Sequence, residues 1–66
     1  MTTFVLRETL ASEKFGYPIY FEAMTNIGPH NTNALERAAK FDSTSDAARC
    51  PAMRHMLSCY EIEPAP

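Results

Sequence analysis

Hydrophobic and polar positions alternate along three parts of the chain. Over residues 3–9, Phe4 and Leu6 fall on one side and Val5 and Arg7 on the other, the alternation of a half-buried strand. Residues 17–24 repeat the pattern more fully. There Tyr17, Ile19, Phe21 and Ala23 share one face, and Tyr20, Glu22 and Met24 share the opposite one. Pro18 cannot donate to a ladder, so it marks a strand start or an edge. These two strands are expected to pair as an antiparallel hairpin. Residues 60–63 alternate again, with Tyr60 and Ile62 inward and Glu61 and Glu63 outward, and Pro64-Ala65-Pro66 ends the run.

The intervening segments read differently. Residues 10–16 read as a connector, with Ser12, Glu13, Lys14 and Gly16 supplying turn chemistry. Residues 25–33, with Gly28-Pro29 and three Asn, read as a loop. Asn33-Ala34-Leu35-Glu36 has the form of a capping box opening a short helix through Lys40. The rival reading is irregular chain with a short strand at residues 39–41. Ser43 followed by Asp46 is an acidic variant of the capping box. The helix it opens spans residues 44–58, with Ala47, Cys50, Met53 or Arg54, and Leu57 along one stripe. Pro51 lies inside it, where proline removes a hydrogen bond at a cost of about 3 kcal/mol. The helix therefore kinks there, or ends near Arg49 and restarts with Pro51 as its first residue. The fold expected is α+β: a small antiparallel sheet of three or four strands with one packed, Pro-kinked helix.

A chain of 66 residues is one small domain with little room for a deep pocket. It opens on Met1 as a complete short reading frame would. Its 45% hydrophobic and 21% charged residues make a globular composition. The formal net charge of −2 and the scattered bases argue against a binder that works by neutralising phosphates. No segment reaches the ~18 apolar residues that span a bilayer, and no signal peptide opens the chain. A cytoplasmic protein with reduced thiols is expected. On a straight helix Cys50 and Cys59 would stand roughly 13 Å apart, beyond the ~7 Å a disulfide allows.

The order of strand, strand, loop, Ala39-Lys40-Phe41-Asp42-Ser43 cap, helix and Tyr60-Glu61-Ile62-Glu63-Pro64 strand resembles many short α+β proteins of phages and prophages. In size, acidity and lack of catalytic motifs the chain also resembles anti-defence proteins, anti-CRISPR proteins among them. That resemblance implies a non-catalytic, stoichiometric protein binder. It would inhibit a bacterial defence complex by covering its surface. The partner implied is a larger bacterial protein or nucleoprotein complex in the host cytosol, with no direct nucleic-acid contact.

Chemistry candidates stand beside plainer readings. Cys50, His55 and Cys59, with His30 from the loop, suggest a metal site. On an ideal helix, however, Cys50 and His55 lie roughly 140° apart, and only His55 and Cys59 share a face. The sequence lacks a short-spaced Cys pair, so no metal or other cofactor is assigned. A Cys–His nucleophile would need an orienting third group and an oxyanion site, and neither has a recognisable form, so no catalytic residue is assigned. Gly28-Pro29-His30 is a turn and not a phosphate loop.

The outer sheet face is the preferred partner-binding surface. Alternation places Val5, Arg7, Tyr20, Glu22, Met24, Glu61 and Glu63 on it. A solvated face explains the same pattern. Tyr and Met are nevertheless enriched at interfaces, and exposed Glu complement a basic groove. Arg7, Tyr20, Glu22, Met24, Glu61 and Glu63 are the residues assigned to it. The kinked helix, with Arg49, Arg54, His55 and Met53 or Met56, is a second surface. A strand edge that pairs with another copy would instead give a homodimer, a small structural or regulatory subunit.

Overall fold

In the computed structural model, which describes residues 2–56 and 59–66, four strands form one sheet. They are β1 (Phe4–Glu8), β2 (Tyr20–Thr25), β3 (Gly28–Thr32) and β4 (Tyr60–Pro64). All neighbours are antiparallel, in the order β3-β2-β1-β4. Two short helices, α1 (Thr9–Phe15) and α2 (Thr44–Ala48), complete an α+β fold, together with 3-10 turns at Leu35–Arg37 and Pro51–Arg54.

Thr9–Phe15 is a helix, where a connector over residues 10–16 was expected. The cap is Glu8, whose Oε1 accepts from the amides of Leu10 at 2.7 Å and Ala11 at 3.3 Å. Glutamate is not among the favoured capping residues, so the usual start signal is missing. Gly16 closes α1 in the left-handed conformation (φ 78°), and its N–H bonds to the Ser12 carbonyl. The chain then returns through Tyr17 and Pro18. The amide of Ile19 donates to the buried Ser12 Oγ at 2.8 Å, which fixes where β2 begins. The connection between β1 and β2 is thus a helix and not a tight turn.

The expected loop at residues 25–33 contains β3. Thr25 pairs with Gly28 across a two-residue turn, and Thr25 Oγ1 donates to the Gly28 carbonyl at 2.7 Å. Gly28 is required there by its φ of 125°, which L side chains rarely adopt, and a methyl group at its Cα would also stand 3.1 Å from His55 Nε2. β3 is an edge strand, which is why it accommodates Pro29.

Residues 34–40 do not form the capped helix. Ala34 precedes a single 3-10 turn and supplies no side-chain cap. The rival reading describes the next residues better: Phe41 exchanges both backbone bonds with Phe4, and the Ala39 amide donates to the Phe21 carbonyl. β1 and β2 are in register at Arg7↔Tyr20, and the 39–41 segment bonds to one residue of each.

Ser43 caps α2 by accepting from the Asp46 amide at 3.1 Å. The helix ends at Ala48, and Pro51 opens the 3-10 turn as its first residue. The helix is therefore broken and not merely kinked, because Cys50 is extended ahead of Pro51. Residues 57 and 58 of the expected helix lie outside the described residues.

The sheet is covered on both faces. Leu6, Phe21 and Tyr60 pack against Ala47 of α2 and Ala52 of the second 3-10 turn, with Phe21 and Tyr60 edge to face. On the other face Val5 and Tyr20 pack beneath Ala38, with Leu35 and Ala65 at the border. This explains why Ile19, Tyr20 and Phe21 are all buried in sequence, against the alternation expected of a one-sided strand.

Candidate functional site

Val5 and Tyr20 do not lie on an open surface. Both are buried under the segment carrying Leu35 and Ala38, so Tyr20 is a core residue and is not available to a partner. The same segment brings Arg37 to Glu22, with Nη2 3.4 Å from Oε2, while Glu22 Oε1 stands 3.9 Å from His30 Nε2. Met24 is exposed next to the β2–β3 turn, opposite Pro29. The face expected to be continuous is therefore interrupted at Val5 and Tyr20.

Arg7, Glu61 and Glu63 are brought together. Register sets Arg7 opposite Glu61 and Val5 opposite Glu63, so all four side chains share one face. Arg7 Nε donates to Glu63 Oε2, and its Nη2 donates to Glu61 Oε2 at 3.2 Å. The hydrogen bond to Glu63, with smaller help from the charges of Glu63 and Glu61, holds the Arg7 guanidinium even further above its usual range. It is a fixed cation.

Beside this network lies an open cleft of about 490 Å³. Arg7 and Glu61 form one part of its lining. Thr9, Ser12 and Glu13 of α1 contribute another, and Gly16, Tyr17 and Pro18 of the return loop complete it. Tyr17 stacks on Phe15 with ring centroids 5.8 Å apart, and both rings are about half exposed. Lys14 places its Nζ 5.8 Å from the centre of the Phe15 ring.

The sequence reading missed Glu13, Tyr17 and Pro18 as site residues. It placed Tyr17 on the inner face of a strand that begins three residues later. The available signal was Gly16 two residues after Lys14, a helix end in a segment otherwise read as turn.

Cys50 is half buried against the core and Cys59 is exposed, and both are free thiols. Among the described residues no three of His, Cys, Asp and Glu are grouped to hold a metal ion. No helix among them is long and apolar enough to cross a membrane. Comparison with protein-family models, with curated proteins and with solved structures finds no match to this chain.

Proposed function

We propose that this chain is a non-catalytic protein-binding module that engages its partner through the Arg7–Glu61–Glu63 face and the adjoining cleft. The observation that carries this reading is the stacked pair of Phe15 and Tyr17, left at the surface beside the cleft. A small domain is short of core, and its only fully buried large side chains are Leu6 and Val5 among the described residues. Two adjacent exposed aromatics at the rim of a cleft of mixed polar and apolar lining fit the composition of a protein interface.

The acidic partner of Arg7 argues in the same direction. Glu13, Glu61 and Glu63 outnumber Arg7 and Lys14, so the surface suits a basic partner. The resemblance to small phage proteins makes a bacterial defence complex, whose nucleic-acid groove is basic, the first partner to test. Inhibition would follow from occlusion of that groove.

The homodimer reading is less favoured by the geometry of β4. The Thr9 amide donates to Cys59 O, and the Ala65 amide donates to Thr3 O. Odd-numbered residues of this strand therefore face β1, and the backbone groups of Ile62 point to the open edge. Each antiparallel self-pairing that uses Ile62 sets Glu61 or Glu63 opposite Glu61 or Glu63 of the second copy. Like charges directly opposite oppose pairing.

Affinity capture of the tagged chain from bacterial lysate tests the proposal, with Glu61→Lys run beside it. One complex retained by the parent chain and lost with the variant is expected. Recovery of the chain alone, or equal recovery with the variant, would contradict it.

A further inference from the structure

We propose that the cleft receives one arginine side chain of the partner, with the guanidinium between Glu13 and Glu61 and its plane against Tyr17. This inference rests on the protein-binding reading and specifies its chemistry. Three features of the cleft select that ligand.

The first is charge. Arg7 lines the cleft, but its two bonds to Glu61 and Glu63 commit its charge to β4. Its bond to Glu61 uses Oε2, and Glu13 lines the cleft from α1 with no ion pair among the described residues. Of the residues that line the cleft, Glu13 and Glu61 set against Arg7 give a formal charge of −1, and Glu63 stands next to them on β4. An anionic ligand would meet these carboxylates, and a cation is attracted to them.

The second is the aromatic wall. Tyr17 is held by its stacking on Phe15 and by the turn that Gly16 and Pro18 define. A wall that is already ordered loses little freedom on binding. A guanidinium is planar and weakly hydrated, so it stacks on a tyrosine ring better than an ammonium does.

The third is shape. The cleft is open, of about 490 Å³, and its lining is mixed polar and apolar. An open cleft of this kind accommodates the aliphatic stem of arginine along Tyr17 and Pro18 with the charged head among the carboxylates.

The test is an amide NMR titration of the ¹⁵N-labelled chain with the peptide acetyl-Gly-Arg-Gly-amide. Parallel titrations replace the arginine by citrulline, which keeps the shape and loses the charge, and by lysine. Shifts are expected at the amides of Thr9, Ser12, Glu13, Gly16, Tyr17 and Glu61 with the arginine peptide, and not with citrulline. Glu13→Gln and Tyr17→Ala should each weaken binding by roughly twofold to fivefold. Dispersed spectra of both variants verify that they remain folded. No shift at the cleft, equal shifts with citrulline, or binding of lysine as tight as that of arginine would each overturn the inference. If the cleft is silent while lysate capture still yields a complex lost with Glu61→Lys, the protein-binding reading stands and this inference alone falls.

Discussion

Arg7 on β1 stands directly across from Glu61 on β4, and its Nη2 donates to the Glu61 carboxylate at 3.2 Å. The pair does two things. It ties the edge strand to its neighbour, and it holds two like-charged glutamates on one strand face around a single cation. Arg7→Ala leaves Glu61 and Glu63 side by side on β4 without that cation. Stability should fall, and the loss should shrink in about 1 M salt, where the Debye length is roughly 3 Å. Urea unfolding of both chains at low and high salt measures this. An equal loss at both salt concentrations would show that packing and not charge is what Arg7 contributes.

Ser12→Ala isolates a different link. The hydroxyl of Ser12 accepts the Ile19 amide where both residues are buried, and no water replaces it easily. Leaving that amide unsatisfied should cost about 1–3 kcal/mol. Thermal or urea melts measure the loss. A change within experimental error would mean that the return loop finds another acceptor.

Gly16 is needed for its backbone and not for space. A methyl group there meets nothing within 4 Å, yet φ is 78°. Gly16→Ala should therefore destabilise by about 1 kcal/mol through backbone strain alone, and Gly16→Asn by less, because Asn tolerates this conformation. Comparing the two melts checks the assignment of Gly16 as the helix end. Equal losses would speak against it.

These positions show what was legible in the sequence. β1 and β4 were readable from alternation, because Arg7 on one and Glu61 and Glu63 on the other fall on a single face. The Ser43 cap and the restart at Pro51 were readable because their chemistry is local. α1 was not, since Glu8 is an uncommon cap and the helix is too short to show a period. β3 was not, since Gly28 and Pro29 carry loop chemistry and the strand is held by its partner β2. The candidate site was half legible. Arg7, Glu61 and Glu63 follow from strand register, whereas Glu13 and Tyr17 depend on the missed helix. Tyr20 lies on the face that alternation gives it but is covered, because residues 35–38 return over the sheet, a tertiary event that no local pattern records.

Leu6 is completely buried at the centre of the larger core, against Phe21, Ala47, Ala52 and Tyr60. Leu6→Ala should cost about 2–5 kcal/mol, from lost burial and the cavity left behind. That is a large share of the stability of a domain this small. Circular dichroism should show the cooperative melt lowered sharply or lost. A melt close to that of the parent chain would mean that the two cores do not act as one.

The edge of β4 offers a test of what its glutamates prevent. Replacing Glu61 and Glu63 together by Val removes the like charges that face each other in every self-pairing through Ile62. The double variant should self-associate in sedimentation experiments at concentrations where the parent chain is monomeric. A monomeric variant would show that the edge is protected by something other than charge.

The central claim is that the partner is met by the cleft and the Arg7–Glu61–Glu63 face. Hydrogen–deuterium exchange on this chain, free and in its captured complex, tests it most directly. Protection gained over residues 9–18 and 60–63 is the predicted result. Protection confined to α2 and the Pro51–Arg54 turn, with the cleft unchanged, would contradict it.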